Sequence, residues 1–563
     1  MVENREIYRR CAEMILADNH AARHIDEIAM QDWGLASSAL VEAAGRECAY
    51  ALVRSFRRFH GFNIKNLFIL LAAGSGNNGA DGMVLLKTLI LKGFCRPDQC
   101  TVVLSKKPSS ATTESEPVNP QTQALRALLT MGLTVVAWQD LATTEREKLF
   151  SKADIVIDAL SGTGLQGPPK GSVAELIFFI NENRTKKDAQ RIVAIDVPSG
   201  LSDLWDKRTP LVHADLCLAV EPVKVCLYKP AARLFAGRIV PVQGIFPQQL
   251  LEKDGQYKLV SYTQISLDKA AIAPFVVPPY AYKHRRGVVQ VFAGAPGTSG
   301  AALLAARGAQ SGGAGLVQLV TDDRLAEHLL SHAGGILLTC PTWLKEQVQS
   351  GSRSPLSPDA VVIGPGLSWN EDLQTRLDAI YESQNQKAVG LVIDAEALIH
   401  ASRKTFRGPT VFTPHPAEFA RMLINLNASS QEPIQGATDT VIETLSVDPV
   451  PLLRLASQNT NAVMLLKGHV IHIVAPDGTC YIVDGLEPVL AMGGSGDLLS
   501  GIIGALMARM KRNTGHIDPV LCARWAAVLL VKAGHLLCRQ HGFTDPGSLA
   551  EIVGNLAGEL WLQ

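Results

Sequence analysis

The sequence predicts an α/β protein built as two three-layer αβα domains, each a doubly wound, mostly parallel sheet covered by helices on both faces. Three observations lead there. Short apolar runs alternate with helix-length segments in two separate series, glycine-rich or polar turns follow many of those runs, and a proline-rich passage separates the series. At 563 residues the chain is too long for one ordinary core, and two large units fit it best.

In the first series a helical segment from about Ile25 to Phe59 precedes strand-like runs at Asn66 to Ala73, Thr101 to Leu104, Ile155 to Ala159, Ile192 to Val197 and Asp215 to Val220. The Ser-, Thr- and Pro-rich stretch from Lys106 to Pro120 reads as an exposed loop. After Phe246 the pattern pauses. PFVVPPYAY, with prolines between Pro274 and Pro279, reads as a linker or extended arm, so the expected division is residues 1–246, a linker and arm over 247–280, and a second domain over 262–563 with its core from about 281. The second series places strands at Val288 to Ala293, Leu316 to Thr321, Ala360 to Ile363, Val389 to Ile393, Thr410 to Thr413 and Val463 to Lys467. Asp477-Gly478 between two alternating apolar runs marks a hairpin.

Composition excludes several classes. Lys plus Arg equals Asp plus Glu, 53 each, which leaves no global charge to attract nucleic acid or an acidic membrane face. Hydrophobic residues at 47% are too many for a disordered chain. The ten cysteines are scattered without a CxxC pair, and several, such as Cys217 and Cys226, sit in apolar runs, as expected in a reducing compartment. No signal-peptide pattern opens the chain and no run of about twenty apolar residues is evident, so a soluble, cytoplasmic protein is expected. His328 and His332 stand four apart but lack the glutamate of a zinc HExxH pattern, and read as surface histidines.

Chemistry concentrates in the turns. In the first half, Gly74 to Gly82, GSGNNGADG, has GxGxxG spacing between a strand and a helix. The next strand ends in Ser105, Lys106 and Lys107 instead of the acid that would hold an adenosine ribose, which disfavours a dinucleotide-binding dehydrogenase. Two more polar turns, DALSGTGLQGPPKG from Asp158 and AIDVPSGLSD from Ala194, would gather with it in one crevice. Asn78, Asp158, Asp196 and Ser199 could then supply oxygen ligands suited to a monovalent cation. Equally, the two acids could cap helices or brace loops.

GSGNNGADG, DALSGTGL and AIDVPSGL, in this order and spacing, resemble the NAD(P)H-hydrate epimerase family, whose domain is Rossmann-like. The resemblance covers nearly all of residues 1 to about 246. It implies that the hydrated nucleotide is bound by Asn77, Asn78, Gly79, Ala80 and Asp81, by Gly162, Thr163, Gly164, Leu165, Gln166, Gly167 and Pro168, and by Asp196. A potassium ion would be held by Asn78, Asp158 and Ser199. Ala80 stands where that family usually has glycine. Inversion at the hydrated ring carbon needs a general acid and base, and Asp196 is the residue expected to move the proton.

In the second half the turn MGGSGDLLSG, Met492 to Gly501, opens a strongly apolar helix. Gly493, Gly494 and Gly496 bare the backbone, and the helix start offers unpaired N–H groups and a positive dipole end, so the turn suits phosphate. Asp497 would repel phosphate, but it suits a base taking a proton from an attacking hydroxyl; capping the helix is the alternative. VVIGPGLS from Val361, VFTPHPAEF from Val411 and LLKGHVI from Leu465 are three further strand-to-turn junctions, and no GxxxxGK[ST] P-loop is present. His415, between two prolines, could be a ligand-binding or a rigid-turn residue.

Together these turns resemble the ribokinase-like superfamily and, within it, the ADP-dependent (S)-NAD(P)H-hydrate dehydratase family, over residues 262 to 563. The resemblance implies that Ala301, Gly366, His415 and Asp497 contact the hydrate. Lys467, Gly468, His469, Val470 and Ile471, with Gly496, would hold the adenine nucleotide. It further implies a bifunctional repair enzyme acting on NADHX and NADPHX, the hydrates of NADH and NADPH. ADP, with ATP possible, would be the phosphoryl donor, Mg2+ and K+ the ions, and a homo-oligomer the assembly. The rival expectation is a ribokinase-like small-metabolite kinase fused to a nucleotide-binding module.

Overall fold

A computed structural model describes residues 13–60, 64–107, 119–165, 167–186, 190–251, 257–260, 272–340, 357–368, 374–375, 378–382, 388–427, 437–540, 542 and 544–562. Gln166, residues 108–118 of the expected exposed loop and much of 247–280 lie outside these. The chain forms two compact units; one spans Ile15–Tyr257, and the main segment of the other is Lys258–Gln563.

In the first unit, β1 (Glu13–Ala17) precedes the sheet strands β2 (Ile69–Ala73), β3 (Cys100–Leu104), β4 (Thr134–Ala137), β5 (Ile155–Ala159), β6 (Arg191–Ile195) and β7 (Leu216–Val220). Short β8 (Val223–Lys224) and β9 (Arg238–Val242) follow. The sheet order is β4-β3-β2-β5-β6-β7-β9, with every pairing parallel. The order reverses between β2 and β5, the kind of switch point beside which a doubly wound sheet carries its crevice. β1 runs parallel to β8, with Leu16 opposite Val223 and Ala17 opposite Lys224.

The single helical segment expected from Ile25 to Phe59 is two helices, Asn19–Gln31 and Ser37–Ser55. Asp18 caps the first, its side chain accepting from Ala21 N, and Gly34 at φ +66° lets the chain turn between them. Ser37–Ser55 lies against the helix Asn77–Leu91 so closely that a Cβ on Gly45 would come within 2.6 Å of the Asp81 carbonyl oxygen. The reading of the sequence passed over edge strands β4 and β9. β9 carries Pro241 and is largely accessible, so it lacks the apolar run of a central strand.

The second unit follows β10 (Tyr257–Val260) with β11 (Val288–Phe292), β12 (Leu316–Val320), β13 (Leu337–Thr339), β14 (Ala360–Ile363), β15 (Gly390–Ile393), β16 (Thr410–Phe412), β17 (Val463–Leu466), β18 (Val470–Val474) and β19 (Cys480–Asp484). From β13 to β19 the order is β13-β12-β11-β14-β15-β16-β17-β18-β19. Pairings are parallel through β17, then antiparallel across the expected hairpin, where Gly478 takes φ +87°. Here the order reverses between β11 and β14.

The helix Ser495–Thr514 runs through the core of this unit. Its glycines permit that: a Cβ on Gly501 would strike Ala305 O at 2.0 Å, and one on Gly504 would meet Val362 Cγ2 at 2.6 Å. Two expectations are corrected. The proline passage is no free arm, because Phe275 is fully buried against Trp525 and Trp561, while Arg509 and Asn513 donate to the carbonyls of Phe275, Pro274 and Val276. And the helix Pro519–Gln540 is long and apolar enough to cross a membrane, with mean hydropathy 1.6. Its apolar side chains, from Cys522 to Leu537, are buried in the same core as those of Ser495–Thr514 and Pro546–Trp561, as in a central helix. His328 and His332 are exposed, as expected.

Candidate active sites

At the first unit's switch point the loops after β2 and β5 are pressed together; a Cβ on Gly74 would lie 1.8 Å from Leu160 O. Beyond them opens a cavity of about 650 Å³. Its walls include Asn77, Asn78, Asp81, Gly162, Thr163, Gly164, Leu165, Pro168 and Asp196, and also Asp26 and Lys224. Nine of the residues expected to bind the nucleotide are therefore brought together. Gly79, Ala80 and Gly167 are not: a Cβ on Gly79 would collide with Gly74 O at 2.2 Å, and the fully buried Ala80 methyl faces the core. The methyl that replaces glycine points away from the cavity.

Asp196 takes the left-handed backbone conformation at φ 66°, which turns its carboxyl out of the strand direction. Lys224 on β8 holds Asp196 Oδ1 at 2.6 Å, both side chains being almost wholly buried. Lys224 also donates to Val220 O. A buried ammonium so placed neutralises one carboxylate and fixes its direction. Asp26 and Asp81 share this environment. Burial and then the Asp196 charge push Asp81 well above the usual carboxylate range, and burial raises Asp26 against the opposing pull of Lys224.

Asp158 and Ser199 meet where the loops after β5 and β6 join, and Asn78 lies in the cavity wall. Asp158 is fully buried, accepts from Ser199 N at 2.8 Å and Leu160 N at 3.3 Å, and is pushed up to about 6 by burial. Ser199 Oγ accepts from Ser161 N. The loop-bracing role of Asp158 is thus realised. Asn78 differs, because both polar atoms of its buried side chain lack a hydrogen-bond partner.

In the second unit the loops after β11, β14, β15, β16 and β17 form a continuous chain of contacts. Gly294 N donates to Pro365 O, and Thr298 Oγ1 donates to Gly366 O at 2.6 Å. A Cβ on Gly364 would reach Asp394 O at 1.7 Å, Thr413 Oγ1 donates to Ile393 O, and Lys467 N donates to Pro414 O. Ala301 is beside Gly366, where an added Cβ would lie 3.0 Å from the Ala301 methyl.

The turn before the central helix has the shape its glycines suggested. Gly494, at φ +95°, is the N-cap residue, and a Cβ there would strike Leu304 Cδ1 at 2.2 Å. Ser495 Oγ donates to Leu490 O and Met492 O. Asp497 sits inside the first turn, past the cap position. Its carboxyl is pushed up to about 7 by burial and then by Asp394, with Lys467 opposing and Glu418 adding to the rise. Lys467 Nζ lies 2.8 Å from Asp394 Oδ1 and 3.6 Å from Glu418 Oε2, directly under Gly496, whose added Cβ would be 3.2 Å from it.

His415 is half-exposed. Its Nδ1 accepts from Ala417 N and Glu418 N, and its backbone N donates to Glu418 Oε2 at 2.7 Å. The ring therefore rigidifies the start of the helix Pro416–Asn427, with Nε2 3.4 Å from Glu418 Oε1. Gly468 is exposed and His469 partly so, but the side chains of Val470 and Ile471 are buried in β18, so only their backbone can serve a ligand.

Sequence reasoning missed Lys224, Asp26, Asp394 and Glu418. Asp394 ends a strand just as Asp158 and Asp196 end theirs, so the same signal would have found it; Glu418 lies within the TPHPAEF already singled out. Lys224 carries no local signal, because pairing of β8 with β1, not spacing, sets it beside Asp196.

Residues 289–555 match the family described as NAD(P)H-hydrate dehydratase, and residues 37–226 the family described as YjeF-related protein N-terminus. A bifunctional NAD(P)H-hydrate repair enzyme, Nnr, of Moorella thermoacetica is 29% identical over 539 residues, spanning 92% of this chain and 91% of that protein. The Nnr of Salinibacter ruber is 26% identical, spanning 96% and 95%. A solved structure of the ADP/ATP-dependent NAD(P)H-hydrate dehydratase of Bacillus subtilis, co-crystallised with ATP and Mg2+, is 24% identical and spans 51% of this chain and 96% of its own, with a TM-score of 0.41.

Proposed function

Because this chain belongs to the family of bifunctional NAD(P)H-hydrate repair enzymes, we propose that it epimerises the R and S hydrates of NADH and NADPH and dehydrates the S form to the reduced cofactor, consuming ADP. Epimerisation is assigned to the unit Ile15–Tyr257 and dehydration to Lys258–Gln563. The observation that carries the reading is Asp497: a carboxyl just past a phosphate-holding turn, free of the cap position and pushed up to about 7, has the properties of a base working near neutrality.

In the second unit a magnesium ion accompanying the nucleotide would offset phosphate charge. Asp497 takes the proton of the ring hydroxyl as its oxygen attacks the terminal phosphorus. The bared backbone of Gly494 to Gly496 and the Lys467 ammonium beneath it stabilise charge on the moving group. With AMP released, the phosphate ester so formed is a good leaving group; the ring nitrogen's lone pair expels it, forming a C=N+ bond, and loss of a proton from the adjacent ring carbon to water regenerates the reduced nicotinamide. His415, held rigid by Glu418, and the small residues Ala301 and Gly366 shape the hydrate's side of the site.

In the first unit Asp196, pinned by Lys224, carries the proton in epimerisation. The unpartnered Asn78 amide, together with Asp158 and Ser199, would suit a potassium ion: a carboxylate, an amide oxygen and a hydroxyl are hard, low-charge donors. Such an ion would orient the phosphates and loops.

The test supplies mixed hydrates with ADP or ATP and follows reduced nicotinamide by its absorbance. The intact chain recovers all of the cofactor. Asp196→Asn stalls at the S fraction, whereas Asp497→Asn recovers none yet still interconverts the epimers. Accumulation of a stable phosphorylated hydrate would instead mark a kinase, and full recovery by Asp196→Asn would remove that residue from the mechanism.

A further inference from the structure

The N-terminal cavity holds more acid than one base requires. Asp26, Asp81 and Asp196 all line it, against one buried ammonium, Lys224, which is committed to Asp196 at 2.6 Å. Asp81, like Asp196, is buried. It is 9% exposed, and its Oδ1 has no hydrogen-bond partner although it is buried. The groups that act on it are Asp196, Lys224, Asp26 and the thiol of Cys48, and the lysine is the sole cation among them. With the ammonium committed to Asp196, burial and the neighbouring carboxylate both favour the neutral form of Asp81.

We propose that Asp81 is a second catalytic residue of this site, the proton-bearing partner of Asp196, so that epimerisation runs between two carboxyls. The proposal rests on the assignment of epimerisation to this unit. Asp81 comes from the helix after β2 and Asp196 from the loop after β6, on either side of β5, so the two reach the cavity from different walls. Asp81 gives its proton to the ring hydroxyl. The carbon–oxygen bond breaks, its electron pair leaves with water, and the ring nitrogen's lone pair forms a C=N+ bond. Water adds to the other face, its oxygen forming the new bond, and Asp196 takes the surplus proton. That proton returns to Asp81 through water in the cavity, and the reverse conversion exchanges the two roles. Lys224 holds Asp196 as its ion-pair partner while burial favours the neutral form of Asp81, which gives the site an acid and a base together.

The experiment uses the full chain with purified R hydrate in 18O-labelled water, at fixed saturating potassium, without ADP. Wild type inverts the centre and incorporates solvent oxygen with each inversion. Asp81→Asn keeps the shape of the side chain; its kcat falls by about 100-fold or more, label uptake falls in step, and KM moves by less than about threefold. Asp81→Glu restores part of kcat with a displaced pH profile, which a merely structural carboxyl would not give. Asp81→Asn with kcat within about threefold of wild type would overturn the proposal. If that variant does not fold, an Asp81→Glu pH profile superimposable on wild type overturns it equally. Absence of inversion in wild type itself would instead overturn the assignment of epimerisation.

Discussion

The proposed base Asp497 sets the pH dependence of dehydration. With its carboxyl pushed up to about 7, the ionised fraction is roughly one tenth at about pH 6 and nine tenths at about pH 8, so kcat/KM for S hydrate rises about tenfold across that interval. Burial is the first cause and the Asp394 charge the second. Asp394→Asn removes that charge and releases Lys467 from its 2.8 Å partner, leaving the ammonium to face Asp497. Both changes favour the ionised form, so the inflection moves to lower pH and the tenfold ratio shrinks toward unity, whatever the variant's absolute rate. Stability offers a second reading of the same group. The folded state holds the Asp497 proton where the unfolded chain has released it, so stability falls as pH rises from about 4 to about 7. Asp497→Asn should therefore stabilise this unit above pH 7 and change nothing below about pH 4. The full displacement corresponds to about 4 kcal/mol, and partial access to solvent reduces this to about 1–2 kcal/mol. Pre-steady-state or steady-state pH profiles and denaturant unfolding at two pH values measure both. A wild-type profile flat between pH 6 and 8, or a ratio unmoved by Asp394→Asn, would refute the reasoning.

Gly162→Ala would place a methyl 3.1 Å from Asp196 Oδ2 and 3.3 Å from Asn78 Cβ, so R-to-S conversion should fall by at least about tenfold while dehydration of pure S hydrate is unchanged; equal rates in both assays would count against the placement of that loop. Phe275→Ala empties a fully buried site between Trp525 and Trp561 and should cost about 3–5 kcal/mol in denaturant unfolding of the second unit, whereas a loss below about 1 kcal/mol would mean the proline passage is not part of its core.

Much of this architecture was readable along the chain because central parallel strands are buried on both faces and so appear as unbroken apolar runs. Edge strands are not: β4 and β9 carry accessible positions, and neither stands out by pattern. The burial of Phe275 was hidden for a different reason. Prolines report local backbone preference, whereas the packing of that segment depends on Arg509, Asn513 and Trp561, more than two hundred residues away. Pro519–Gln540 shows the converse error: its apolar length says that the helix avoids water, but not whether lipid or protein covers it.

The residues of chemistry divide in the same way. Asp196 and Asp497 were visible in the sequence because each follows a strand or glycine turn, where a parallel sheet gathers loops whatever the details of packing. The partners that set their behaviour were decided by the tertiary structure. Lys224 reaches Asp196 through the pairing of β8 with β1, Asp394 and Glu418 reach Asp497 across three neighbouring strands, and Ala80 turns its methyl into the core. Backbone propensity and apolar pattern act over a few residues and so are written locally. Burial and charge act through space, and only the folded chain determines which groups they join.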